Sequence, residues 1–295
     1  MSAPRTIISL GFPATGKTTF LASLWQHALS STVKGALCVE ALPTDRKYLN
    51  QIGAAWLQCE SQSRTRLGRI ERTSINLSDS DFSRVVTLEF PDLSGETFMS
   101  HWAERQWSLE FDNLVENAIG FLLFVHPEKV IDPTTIAEEI YVSGDVQNGD
   151  GPKSDENTKE EVVQWIPNLA PTQVQLVECL QFLNKRRDDA FSACRVAVVV
   201  SAWDLLCSEF DTASIYLKKR LPLLNQYLTA NIDSNRRHVY GVSAQGGDYK
   251  SKKSELLTHA NPWERILVAD DDFTDHDITR PIRWLLQEAW GGESI

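Results

Sequence analysis

Residues 11–18 read GFPATGKT: a glycine, four free positions, then Gly-Lys-Thr. The apolar run TIISL (residues 6–10) precedes them, and KTTFLASLWQHALS follows, with Phe20, Leu21, Leu24, Trp25 and Ala28 near helical spacing. The order is strand, tight loop, helix. A loop that grips phosphate needs glycine where backbone amides converge on oxygen without a Cβ in the way, and a helix whose positive end begins just behind it. Gly11 and Gly16 meet the first need. Lys17 is placed to reach the β- and γ-phosphates as a point charge, and the Thr18 hydroxyl to ligate magnesium. Gly11, Ala14, Thr15, Gly16, Lys17, Thr18 and Thr19 are the phosphate-side contacts this stretch predicts.

Outward from the loop, short apolar runs alternate with longer amphipathic stretches, the pattern of strands and crossover helices around a mostly parallel sheet. RTSINLS (72–78) and RVVTLEF (84–90) flank a polar turn and read as a hairpin; AIGFLLFV (118–125) and RVAVVVSAWD (195–204) read as central strands, and HVYGVSA (238–244) as the last. Helices are expected over much of 97–117, within 172–191, over 213–228 and within 279–290. The predicted fold class is α/β: a P-loop NTPase with a mostly parallel central sheet, helices on both faces and one antiparallel hairpin strand. A single domain spanning 1–295 is expected, with insertions at 143–161 and 243–277.

Composition restricts what such a domain meets. The chain has 295 residues, 42% of them hydrophobic, and a formal net charge of −11, which repels nucleic acid and anionic membrane surfaces. Cys38, Cys59, Cys179, Cys194 and Cys207 form no Cys-x-x-Cys pair and are odd in number, so reduced thiols are expected rather than disulfides or zinc. No apolar run is long enough to span a bilayer, and no signal-peptide core opens the sequence. A cytoplasmic protein is expected. The acidic stretch 269–277 lacks the glycine and terminal glutamate of a calcium loop.

A nucleotide at GFPATGKT calls for a strand-end carboxylate that holds magnesium, and VVTLEFPDLSGE (85–96) offers Asp92. Asp92-Leu-Ser-Gly95 is also an Asp-x-x-Gly, and here the chain resembles the P-loop GTPases of the translation-factor and Ras-related class. The resemblance implies that the Gly95 amide contacts the γ-phosphate. Glu96 follows where Ras-like proteins carry the glutamine that orients the attacking water; a carboxylate there brings negative charge toward an anionic phosphate and slows hydrolysis. The strand VAVVV ends in Ser201-Ala202-Trp203-Asp204 where the family has Asn-Lys-x-Asp. Asp204 would accept from guanine N1 and N2, and Trp203 or another apolar group would cover the base in place of the missing lysine. Ser243-Ala244 matches the Ser-Ala motif whose backbone meets the guanine oxygen.

The resemblance also asks for a magnesium-binding threonine before the hairpin, in an enlarged switch I region. Thr65 is the first choice and Thr73, expected in the strand, the second; Arg64 or Arg66 beside Thr65 would serve as an arginine finger in cis. Together these imply GTP/GDP and Mg2+ as cofactors, slow hydrolysis with Lys17, Glu96, Thr65 and Arg64 at the reacting phosphate, metal ligation by Thr18, Thr65 and Asp92, and switch loops that engage a protein partner or effector. GFPATGKTTFLASLW, the Arg-Thr before the hairpin and Ser-Ala-Trp-Asp are most similar to bacterial GTPases of multi-component conflict and defence systems. Two other readings stay open: a nucleotide-binding assembly subunit without turnover, and an ATPase.

Overall fold

The computed structural model describes residues 5–30, 33, 35–61, 71–79, 84–92, 95–133, 167–186 and 194–287. The expected insertion at 143–161, and Arg64, Thr65 and Arg66, lie outside them. Nine strands of the described residues form one sheet: β1 (Arg5–Leu10), β2 (Leu37–Ala41), β3 (Glu71–Asp79), β4 (Arg84–Asp92), β5 (Ala118–Val125), β6 (Arg195–Ser201), β7 (Arg237–Ser243), β8 (Leu267–Ala269) and β9 (Thr274–Asp275), in the order β2-β3-β4-β1-β5-β6-β7-β8-β9. The five central strands, β4-β1-β5-β6-β7, are parallel. The expected hairpin is β3–β4, pairing antiparallel from Glu71 opposite Asp92 to Asp79 opposite Arg84. Antiparallel pairing also extends both edges beyond the one hairpin strand expected, with β2 on β3 and β8–β9 on β7.

Side-chain alternation builds a two-faced core. Phe121, Leu123 and Val125 of β5, with Val196, Val198 and Val200 of β6, point to one face, and Leu122, Phe124, Ala197 and Val199 to the other. The first face carries α3 (Gly95–Glu104), α4 (Leu109–Glu116), α5 (Thr172–Arg186), α6 (Ala213–Arg220) and α7 (Pro222–Asn231), through Trp102, Phe111, Leu180, Leu217 and Leu228. The second carries α1 (Lys17–Ser30), α2 (Lys47–Leu57) and α9 (Arg280–Leu286), through Leu24, Trp25, Ile52, Trp56 and Ile282. Each such side chain, fully buried, contributes about 1.5–3 kcal/mol relative to exposure. Parallel strands covered on both faces leave their carboxyl ends as the place where a ligand meets the sheet.

Two expected helices are each divided. The stretch 97–117 breaks at Arg105, whose φ of +54° stops α3, and restarts where the Ser108 hydroxyl accepts from the Phe111 amide at 3.1 Å. The stretch 213–228 breaks at Leu221, pushed out of helical geometry by Pro222, which opens α7. Residues 243–277 are threaded into the core. They carry α8 (Tyr249–Leu256), β8 and β9, and Ile266 and Val268 are fully buried. Buried Asp277 accepts from the Thr279 amide at 2.9 Å and pairs with His27 of α1 at 3.5 Å, while Thr279 accepts from the Leu37 amide of β2 at 3.0 Å. Among the described residues no helix is long and apolar enough to cross a membrane.

Candidate functional site

The loop after β1 has the backbone its glycines allow. Gly11 has φ +148° and Gly16 φ +89°, and Ala14 takes +57° despite its Cβ. A Cβ at Gly11 would lie 2.8 Å from Thr15 Oγ1 and 2.9 Å from the Phe124 carbonyl, so β5 approaches the loop too closely for a side chain. Thr15 Oγ1 donates to the Phe12 carbonyl at 2.8 Å and pins the turn. Lys17 opens α1 and folds back over the loop, its Nζ donating to the carbonyls of Gly11 at 2.7 Å and Phe12 at 3.0 Å. The ammonium is thereby held over the loop by two carbonyls, beside the N-terminus of α1, an end that favours an anion.

This loop forms one wall of a cavity of about 650 Å3. Ala14, Thr15, Gly16, Lys17, Thr18 and Thr19 line it, and so do Ser201, Ala202, Asp204, Ser243 and Ala244 from the ends of β6 and β7. All of these but Ala202 are expected contacts, so ten of them meet around one space. At its far end Asp204 Oδ1 accepts a hydrogen bond from Ser243 Oγ, which itself accepts from the Gly246 amide at 3.2 Å. Asp204 lines the cavity, and a carboxylate that accepts from Ser243 on one oxygen has further acceptor capacity to offer a ligand there. Ser201 donates to the Val125 carbonyl at 3.2 Å, and its Cβ would sit 3.4 Å from a Cβ at Gly16. The short serine where asparagine was the family expectation lies directly against the phosphate loop.

Trp203 departs from expectation. It is 2% exposed, belongs to the core and presses on β7, where a Cβ at Gly241 would fall 2.4 Å from its ring. It does not cover a base. The cause is Ala202, whose left-handed φ of +49° turns the chain so that Trp203 points inward while Asp204 and Leu205 face the cavity. Thr73 lies in β3, buried opposite Phe90, as the strand reading expected. Asp92 is the last residue of β4, Gly95 the first of α3 and Glu96 the second, which brings all three to the carboxyl edge beside β1.

Several cavity residues were not foreseen. His126 and Glu128 follow β5, and Ser61 enters from beyond α2, while Gln245 and Lys250 come from the stretch after β7. His126 Nδ1 accepts from the Glu128 amide at 3.2 Å; burial lowers its pKa below the ordinary value, against the opposing fields of Glu128 and Asp204. The signal for His126 was present, since it directly follows a central strand at the ligand-binding edge.

A glycine loop between first strand and first helix, with a carboxylate and a Ser-Ala turn closing the other end of the cavity, defines a P-loop nucleotide-binding protein of GTPase type. The Double-GTPase 1 family profile matches residues 8–285, and the chain belongs to that family. Membership supports guanine-nucleotide binding. Among solved structures, a bacterial selenocysteine-specific elongation factor EF-Sec aligns at 13% identity and a TM-score of 0.39, over 86% of this chain and 28% of that one. A Methanosarcina barkeri Roco2 RocCORdC structure bound to GDP aligns at 11% and 0.33, over 86% and 47%. The chain thus spans less than half the length of either. No curated protein matches it.

Proposed function

We propose that this protein is a GTP-dependent switch that binds GTP with Mg2+ in the cavity at the carboxyl edge of the sheet, hydrolyses it slowly and engages a protein partner in one nucleotide state. The observation that supports this best is that the phosphate loop and the Asp204–Ser243 pair line one cavity. In this reading the loop amides and Lys17 hold the phosphates, Lys17 exchanging its carbonyl partners for phosphate oxygens, and Asp204 selects guanine. Thr18 supplies a hydroxyl in the cavity, and with Asp92 and Thr65 forms an all-oxygen set that suits magnesium. When bound, the metal ion neutralises charge on the β- and γ-phosphates.

Slow turnover follows from Glu96, whose carboxylate is a poor neighbour for an anionic phosphate, with Arg64 as the compensating charge in cis. Residues 62–70, which hold Arg64 and Thr65, join Ser61 at the cavity to Glu71 opposite Asp92. Together with Gly95 they would report the γ-phosphate to the partner through an order-to-disorder change. The partner is a component of a bacterial defence system, and the compartment, consistent with five free cysteines among the described residues, is the cytoplasm.

The test is equilibrium binding of GTP, GDP and ATP with Mg2+, alongside Lys17→Ala and Asp204→Ala. Guanine-selective binding that is lost at Lys17 and relaxed at Asp204 supports the reading; equal affinity for ATP, or indifference to both substitutions, sinks it. Turnover by the unmodified chain and by Glu96→Gln then decides hydrolysis. Background rates in both, with candidate partners present, favour the assembly subunit that does not turn over, to which Glu96 already points.

A further inference from the structure

Residues 243–277 look like an insertion beside the nucleotide cavity, yet Arg265 within them reaches the base end of that cavity from behind. Arg265 is 5% exposed. Its Nη2 donates to the Trp56 carbonyl at 2.9 Å and its Nη1 to Cys59 Sγ at 2.6 Å, and its guanidinium lies 4.3 Å from the centre of the Trp56 ring. Trp56, 1% exposed, passes the contact on: its indole N–H donates to the Ala244 carbonyl at 2.8 Å. Arg265 also packs directly under the turn, because a Cβ at Gly246, where φ is +83°, would lie 2.6 Å from Arg265 Cβ and 2.7 Å from its carbonyl oxygen. Gly246 in turn donates to Ser243 Oγ, the group that holds Asp204.

Two lines of contact therefore run from one buried guanidinium to the base end of the cavity, one through Trp56 to Ala244 and one through Gly246 and Ser243 to Asp204. A buried guanidinium is costly unless its surroundings are specified, and a planar fork stacked on an indole specifies them. We infer that Arg265 is a positioning residue for base recognition: through Trp56 and Gly246 it holds the Ser243–Gly247 turn so that Asp204 and Ala244 meet the nucleobase together. The inference rests on the guanine reading above. It gives the 243–277 stretch a task, and it ties that task to Trp56 at the end of α2 and to Cys59, two residues before Ser61 enters the cavity.

A brace on the base end and not the phosphate end makes a prediction that general destabilisation does not. Arg265→Ala, which removes both guanidinium hydrogen bonds and the stack on Trp56, loosens the turn, weakens GTP binding about tenfold and erodes the preference for GTP over ATP. Affinity for inorganic tripolyphosphate, which engages only the loop around Lys17, stays within about twofold. Trp56→Phe, which keeps an aromatic ring beneath the guanidinium but loses the indole N–H together with the pyrrole part of the ring, shows the same split at about threefold to tenfold, and stands in should Arg265→Ala fail to fold. The inference is overturned if GTP and tripolyphosphate affinities fall together in both variants, or if neither falls. Should the unmodified chain take GTP and ATP equally, the guanine reading itself fails; if it is selective and both variants keep that selectivity, only the role of Arg265 falls.

Discussion

At the scale of single residues, the cavity depends on a few positions where backbone shape decides chemistry. Gly11 is one. With φ +148° and the Phe124 carbonyl 2.9 Å from where a Cβ would be, alanine there must displace β5 or the loop. Gly11→Ala is expected to cost about 1–3 kcal/mol of stability by overpacking, and to abolish nucleotide binding. Urea unfolding and a binding titration check both, and a variant that retained full affinity would show that the loop moves freely. Asp204 is the other. Its role as acceptor from a base N–H is removed in Asp204→Asn, which presents a donor instead, so GTP affinity should fall by about 1.5–3 kcal/mol, roughly 10- to 150-fold, while tripolyphosphate affinity is unchanged. A competition assay against labelled GTP measures it. Trp203, by contrast, is a core residue, and its substitution should act on stability rather than on which base is bound.

At the scale of elements, α3 and α4 connect Gly95 to the core. His101 on α3 is 7% exposed and stacks on Phe111 of α4 at 4.8 Å, and burial lowers its pKa from 6.5 to about 4. The unfolded chain therefore takes up a proton at this site that the folded chain refuses. Stability contributed by neutral His101 is whole above pH 6.5, declines as pH falls toward 4 and levels off below it. His101→Phe keeps the ring contacts and should flatten the stability profile across that window, read from urea midpoints at several pH values. An unchanged slope would mean that other groups account for the acid sensitivity. On the opposite side Asp277 behaves differently: burial opposes its charge, yet hydrogen bonds from His27 and Thr279 outweigh burial and hold its pKa below the ordinary value. Its contribution is present above the unfolded carboxylate pKa, about 3.9, and is lost only as pH falls through the lower folded value.

For the whole molecule, a ligand that binds only the folded chain stabilises all of it. GTP with Mg2+ at about a hundred times its Kd should add about 2.7 kcal/mol, a rise of roughly 5 °C or more in Tm, and Lys17→Ala should abolish the rise. A thermal shift equal for ATP would count against guanine selection. The sequence by itself determined what local chemistry encodes: the strand–loop–helix at GFPATGKT, the apolar strands β5 and β6, and the placing of Asp92, Asp204 and Ser243 at strand ends, because periodicity and turn residues act over a few positions. It also showed breakers whose force was underestimated, such as Pro222. The edge strand β2 was missed because it is short and runs from buried Leu37 to exposed Glu40 and Ala41 without alternation. Only the tertiary structure decided which way Trp203 points, that 243–277 belongs to the core, and that Arg265 and Trp56 stand behind the Ser243–Gly247 turn. Those contacts join residues remote in the chain, through packing and hydrogen bonds that exist only once the sheet has assembled, and no pattern along the sequence records them.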